Sequence, residues 1–491
     1  MLSRLLALVA ACVMAAAPAL AQTNNANTPT WWNKYEYLLA NGADNCAGLP
    51  SFKVGPNVDV SNECGPQSET FIALNAAKPK VLAAGSNEIF RLPMRGYFSS
   101  DGGASWGGVD LPLPPAKGNG IDFGSDPTLA FDASGNVYYG YIVVYFGNGN
   151  GINGTAVGVA RSTDGGKTYP QFTLFSQEGG EGHFNDKPII AADANPASRF
   201  RDSVYIAWDA ANGGSSGGGV RLARSTDHGA TFTTVRIDDP RGPGRAIGAD
   251  PFVGPNGEVY VAWNDYAANT IAFNRSFDGG VTWEKQRVVA SKFIPFDVAV
   301  PAEFSRGALI YPACDADRSK GAHRGRLVCS WTDLAANGTT DIFTSFSDDK
   351  GSTWSLPASV TDSIPFAVDR FNQWLSIDPT NGVVNVSYYD TRNDTTGSRY
   401  ETDIYLSRSS DGAASYGANV RVSDVSSNEH DCDGTFPCSG INYGNQQGDY
   451  SGLVAFGGVA HPIWTDSRRN QETLPGCARG PMEEVFTAGV K

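Results

Sequence analysis

The chain has 491 residues, with 37 basic against 51 acidic side chains and a formal net charge of −14. An acidic surface disfavours phosphate backbones and anionic lipid, which argues against nucleic acid and anionic membrane as partners. Its 57 glycines and scarcity of helix-compatible runs favour many short strands joined by tight turns.

The first 21 residues read as an export signal: Arg4, an apolar run from Leu5 to Ala17, then the small-residue site Ala19-Leu20-Ala21. The run is too short and Ala-rich for a stable membrane span, and no later segment replaces it. The expectation is a secreted or periplasmic protein, monomeric, beginning near Gln22. Loss of Arg4 leaves 36 basic residues against 51 acidic, a net charge of −15. Residues 22–57 form an N-terminal extension, and 58–491 a single repeat-built body. Seven cysteines remain after cleavage. Cys314 and Cys329, on two apolar segments joined by a polar loop, suit a cross-strand disulfide; Cys432 and Cys438 suit a loop staple. Cys46, Cys64 and Cys477 compete for one further bond. None has zinc-site spacing.

A unit Ser-x-Asp-x-Gly-x-(Thr/Ser)-aromatic begins at Ser99, Ser162, Ser225, Ser276 and Ser347, with a degenerate sixth copy from Ser409 to Tyr416 in which Ala413 replaces the glycine. The aspartates, Asp101, Asp164, Asp227, Asp278, Asp349 and Asp411, are 63, 63, 51, 71 and 62 residues apart. The chemistry is that of a turn: the carboxylate accepts N–H groups inside it, the glycine takes a left-handed backbone, and the aromatic buries against a neighbouring sheet. These aspartates therefore hold hairpins closed.

The same strands recur around each turn. An apolar strand precedes it (Asp341 to Ser345; Asp403 to Ser407), and a short one follows (Val235 to Ile237; Arg287 to Val289; Val420 to Asp424). Two more lie upstream, as in Pro251 to Val253 and Val259 to Trp263. Four antiparallel strands per repeat make a propeller blade. After the sixth turn the chain starts another unit with Tyr450 to Val454, Val459 to Trp464 and Glu484 to Ala488, and its fourth strand is supplied by Val58 to Ser61. The predicted fold is all-β: a seven-bladed β-propeller closed by an N-terminal strand completing the last blade, with a six-bladed ring as the alternative.

The turns between third and fourth strands lie on one face, so a funnel mouth lies on the other. Acids crowd there: Glu69, Asp126, Asp186, Asp250 and Asp449 at starts of innermost strands, and Asp209, Asp265, Asp333, Asp390 and Asp466 at ends of second strands. Converging carboxylates could bind a structural calcium or serve a glycosidic bond in pairs; the plainer alternative is that each caps its loop and pairs with a nearby arginine. No other cofactor and no catalytic metal are expected.

The six turns, with their spacing and strand context, resemble the Asp boxes of the sialidase (neuraminidase) superfamily and its bacterial-neuraminidase-repeat relatives, over nearly the whole mature chain. The resemblance implies a glycan or glycoconjugate partner, three arginines holding a sugar carboxylate, a tyrosine nucleophile with a glutamate base, and an aspartate acid–base catalyst. Tyr450, in Gly448-Asp449-Tyr450-Ser451-Gly452-Leu453, is then the nucleophile candidate, Glu69 or Glu401 its base, and Asp126 an acid–base candidate. Arg392 and Arg468 stand for two arginines, Arg370 or Arg306 for the third, with Asp390, Asp466 and Asp250 beside the substrate. Two departures stand out. Phe90-Arg91-Leu92-Pro93 falls too close to the first box to open a blade, and the family ring has six blades. An exo-glycosidase, a non-catalytic carbohydrate- or protein-binding propeller, and a polysaccharide lyase, for which His183 or His430 would be tested, all follow as functional classes.

Overall fold

The computed structural model describes residues 30–43, 49–114, 121–146, 152–179, 185–210, 219–239, 245–304, 306–430, 446–470, 472–474 and 482–491. The signal segment, Cys46, Cys432, Cys438, Cys477 and His183 lie outside the described residues.

Seven antiparallel sheets make the ring. Blade 1 runs over 67–110, blade 2 over 121–179, blade 3 over 185–236, blade 4 over 246–291, blade 5 over 313–359 and blade 6 over 370–421. Blade 7 joins Leu453–Phe456, Val459–Asp466 and Glu484–Thr487 to the N-terminal strand Asn57–Asp59, through the partners Val58↔Thr487 and Asp59↔Phe486. Phe52–Val54 adds a fifth strand outside it. The ring is thus seven-bladed and closed by its N-terminus, which leaves the third strand of blade 7 without a free edge. The innermost strand of blade 7 begins at Leu453, so Asp449 and Tyr450 precede it rather than lying at its start.

Middle strands are sandwiched by both neighbouring blades and bury both faces, as in Val204–Ala210 and Val259–Asp265. Their large residues include the fully buried Trp208, Trp263, Trp331 and Trp464. Outer strands such as Thr233–Arg236 face solvent. The single described helix, Thr30–Asn41, seats Tyr35 and Leu38 on Phe123, Ile142 and Val144 of blade 2. Cys314 and Cys329 are directly paired across the first two strands of blade 5 and form a disulfide; Cys64 is disulfide-bonded too.

Each recurring turn is closed by its own side chains. In the fifth, Thr353 N–H donates to Asp349 Oδ1 at 2.8 Å, Thr353 Oγ1 to Oδ2 at 2.6 Å, and Gly351 N–H to Ser347 Oγ at 2.8 Å. The same bonds recur at Asp101, Asp164, Asp227, Asp278 and Asp411. The aromatic of the turn packs on the preceding blade: Phe232 stacks on Phe175 at 4.4 Å, and Trp354 meets Phe273 edge-on at 5.3 Å.

Candidate functional site

The innermost strands are bulged near their starts. Register shifts fall between Ser68 and Phe71, Ser125 and Thr128, Asp186 and Ile189, Ile247 and Asp250, and Phe371 and Trp374. The extra residue is left-handed in every case: Glu69 (φ 54°), Asp126 (φ 60°), Lys187 (φ 50°), Gly248 (φ 70°) and Asn372 (φ 49°). A side-chain-bearing residue in that conformation costs about 1 kcal/mol, and the bulge re-aims its side chain.

Four of the sequence-predicted acids meet at the axis. Glu69, Asp126, Asp186 and Asp449 interact there with Lys187 and Arg306. Arg306 Nε donates to Asp449 Oδ1 at 2.5 Å, and Tyr311 donates its hydroxyl to Asp449 Oδ2 at 3.1 Å. Asn87 donates to Glu69 and accepts Asp126 N–H at 2.7 Å, while Lys187 N–H donates to Asp126 Oδ2 at 3.0 Å. The Lys187 ammonium lies against the faces of Tyr450 and Tyr311. Four carboxyl groups there face two cations. Burial pushes the Glu69 carboxyl well above the ordinary range, with Asp449 and Asp126 adding to it. Desolvation and Asp126 raise Asp186 in the same way. Burial lowers Lys187 to about 8 against the pull of Glu69 and Asp449.

Tyr450 is brought beside Glu69 and Asp126, but its hydroxyl donates to the main-chain oxygen of Pro127 at 3.0 Å. Burial, then Glu69 and Asp126, push the phenol above its ordinary value, opposite to what an activated nucleophile needs. Glu401 is elsewhere: it accepts Thr395 N–H at 2.6 Å and Thr395 Oγ1 at 2.8 Å, closing its own loop.

The expected arginines are paired with carboxylates. Arg392 Nη2 meets Asp390 Oδ2 at 2.6 Å, and Arg370 Nε meets the same oxygen at 2.9 Å while its Nη1 reaches Asp341. Arg468 is held by Asp466 at 2.7 Å and by Asp424. Among the described residues no contact joins Arg392, Arg370 or Arg468 to Tyr450; the cation against it is Lys187. Asp390 and Asp466 therefore sit with their loop arginines, the plainer alternative. Asp250 accepts Cys314 N–H at 2.6 Å and Asp209 accepts Gly248 N–H at 2.6 Å, each stapling one blade to the next. Arg91 lies before the third strand of blade 1, held by Glu63 and Asp110. Among the described residues no group of three or more His, Cys, Asp or Glu side chains is arranged to hold a metal ion, so the calcium expectation finds no ligand set there. No described helix is long and apolar enough to cross a membrane.

Lys187, Arg306 and Tyr311 were not singled out at the axis by sequence, Arg306 apart, which stood only as a third-arginine alternative. Two signals bear on them. Pro127, Pro188 and Pro251 each follow a residue of the bulge region at the repeat spacing, marking Lys187 as the counterpart of Asp126. The 71-residue step between the fourth and fifth turns marks the insertion that carries Arg306 and Tyr311, built around the two-stranded ribbon Asp297–Val298 and Ala308–Leu309.

Below the charged cluster, three rings cross the axis. Phe71 meets Trp374 edge-on at 5.1 Å, and Tyr450 lies 6.4 Å from each. Beyond them a cavity of about 900 Å³ runs between the ends of the innermost strands. At the mouth end, connections from three places in the chain bring Phe304, His430 and Tyr400 into one stack: His430 lies 3.7 Å from Tyr400 and 4.4 Å from Phe304.

The class these features define is a seven-bladed β-propeller with a buried ionic axis. No protein-family model matches the chain, and no curated protein matches it. Among solved structures it is similar to a Hadza microbial sialidase (15% identity, 66% of this chain and 63% of that one, TM-score 0.44). It is similar as well to the NanB sialidase from Streptococcus pneumoniae (12%, 72% and 68%, 0.46) and to the intramolecular trans-sialidase from Ruminococcus gnavus (15%, 68% and 91%, 0.45). The chain spans less than two thirds of the length of the first of these. The likeness is one of fold, and the ring is defined independently by the strand pairing described above.

Proposed function

We propose that the protein is an exported glycan-binding propeller that engages neutral sugar at the mouth end without sialidase-type hydrolysis. The observation that carries this is the Phe304–His430–Tyr400 stack. Phe304 is 40% exposed, and His430 is held in place through Nε2 by the Pro301 carbonyl at 2.7 Å. A core gains nothing from such a surface, whereas the C–H face of a pyranose packs on an exposed ring, with neighbouring amides and guanidinium groups to bond its hydroxyls. Asn428, whose Oδ1 accepts His430 N–H at 3.0 Å, and Arg399, paired with Asp369 at 3.2 Å, flank the stack in sequence.

Two observations weigh against turnover through the residues that the family resemblance suggests. The Tyr450 phenol is a buried hydrogen-bond donor, and the arginines that would hold a sugar carboxylate are neutralised by aspartates. Export rests on the leader-like first 21 residues, and the glycan class on the six box-type turns.

The test is retention of the mature protein on a glycan array beside hydrolysis of a fluorogenic sialoside. Retention on neutral glycans, lost in Phe304→Ala and Tyr400→Ala at unchanged melting temperature, with no fluorophore released, supports the proposal. Sialoside hydrolysis abolished by Tyr450→Phe overturns it in favour of an exo-glycosidase. Absence of retention on every glycan overturns it too.

A further inference from the structure

The cavity below the aromatic septum opens on the face of the box-type turns, opposite the sugar platform. Its walls are mixed: Leu129, Ile189, Phe252 and Leu453, with Phe71 and Trp374, supply apolar surface, and polar side chains including Asp193, Asn195, Asp250 and Asp315 line it between them. Its entrance lies among exposed turns carrying Ala197, Arg199, Asn256, Lys320, Arg324 and Thr380.

Charge at this entrance is one-sided. Arg199, Lys320 and Arg324 are exposed cations on the turns of blades 3 and 5, and the two arginines donate to main-chain carbonyls: Phe277 for Arg199, and Arg318, Ser319 and Pro255 for Arg324. None of the three is in an ion pair among the described residues. The acids lining the cavity hold partners within the protein, Asp193 through Oδ1 alone. Asp315 holds Arg318 at 2.5 Å and accepts Ile377 N–H at 2.9 Å. Asp250 accepts Cys314 N–H, and Asp193 accepts Asn195 N–H at 3.1 Å. Burial raises both of those carboxyls above their ordinary range. A cationic rim on a chain of net charge −14 is a local reversal of sign.

We infer that this cavity binds an amphiphilic anion, an apolar body with one carboxylate or sulfonate head. The body fills the space between the innermost strands and the head sits among Arg199, Lys320 and Arg324. About 900 Å³ is within the size of small-molecule sites, and the apolar side chains of the wall accept an alkyl chain or aromatic ring. Nothing in this depends on the mouth-end platform.

Calorimetric titration of the full mature chain with decanoate and with decanol tests it. Decanoate is expected to bind one to one, more weakly as salt rises, and about 10-fold more tightly than decanol. Arg199→Gln with Lys320→Gln should weaken decanoate by about 10-fold and leave decanol unchanged. Ala191→Trp in the wall should abolish binding of both. Ala197→Trp, on the exposed rim and clear of the core, should weaken both even if the wall variant fails to fold. Equal binding of the two ligands, binding indifferent to Ala197→Trp and the charge pair, or no binding up to about 1 mM, where affinity is only about 4 kcal/mol, would overturn the inference.

Discussion

Tyr450 donates its hydroxyl to the main-chain oxygen of Pro127 at 3.0 Å, joining blade 7 to blade 2 past the blade between them. The bond commits the phenol proton to a main-chain acceptor. Tyr450→Phe should therefore act on stability. Removing the donor strands a buried carbonyl, which costs about 1–3 kcal/mol. Denaturant unfolding should show that loss, while retention on glycans stays unchanged.

Stability should peak at mildly acidic pH. Burial raises Asp59 to about 6, Glu429 to about 7 and Glu88, with help from Glu63, to about 8. A carboxyl with a raised folded value binds its proton more tightly folded than unfolded. Its contribution is complete below the unfolded value near about 4 and is lost as pH climbs to the folded value. His461, lowered to about 4 by burial, opposes this between about 4 and 6.5, as one group against several. In the box-type turns slight desolvation is outweighed by hydroxyl and N–H bonds, which hold Asp227, Asp278 and Asp349 at about 2. Their contribution is present above about 4 and is lost as pH falls toward 2. Melting temperatures between pH 2.5 and 8 should rise, pass a maximum near about 4–5 and fall.

Gly351→Ala should destabilise by about 2 kcal/mol or more, because a methyl group at φ 82° would overlap the Phe273 ring of the preceding blade. The sixth turn already holds alanine there: Ala413 at φ 71°, buried in the core. Thermal unfolding of Gly351→Ala beside Gly102→Ala, whose added methyl meets nothing, separates the overlap from the backbone strain both share.

Replacing Cys314 and Cys329 by serine should cost about 3 kcal/mol, the loop entropy of a bond closing 15 residues. Denaturant unfolding of the double serine variant beside the native chain, both without reductant so that the Cys64 disulfide stays intact, should show that loss.

Deleting residues 1–61 should open the ring at blade 7. Glu484–Thr487 would lose its partner Asn57–Asp59 and expose an unpaired strand edge. Concentration-dependent association in light scattering, absent from the intact mature chain, is the expected outcome.

The blades were legible because their signals are local. A box-type turn needs its serine, aspartate and glycine within five residues, and six copies fixed the period before any contact was known. Ring closure was legible too, since Val58 to Ser61 repeats the pattern of a fourth strand that the chain lacks after Glu484–Thr487. The acids at strand starts could be named, and Glu69, Asp126, Asp186 and Asp449 do converge. Their partners were less legible. Arg306 reaches Asp449 from an insertion 143 positions away, and Lys187 faces the axis only because a bulge turns it there. Arg392 and Arg468 were read as free to bind a ligand, yet each is claimed by the aspartate two residues before it.

By itself, then, the sequence determined the repeat, the strand order, the closing strand and the disulfide between Cys314 and Cys329, all of which depend on neighbours in the chain or on period. Only the tertiary structure decided which charges face one another. Strand starts from distant parts of the chain meet at one axis, where burial raises the carboxyls of Glu69 and Asp186 and Tyr450 bonds Pro127, while a cavity lies on the opposite face. Those outcomes follow from side-chain direction and desolvation, which a linear pattern does not carry.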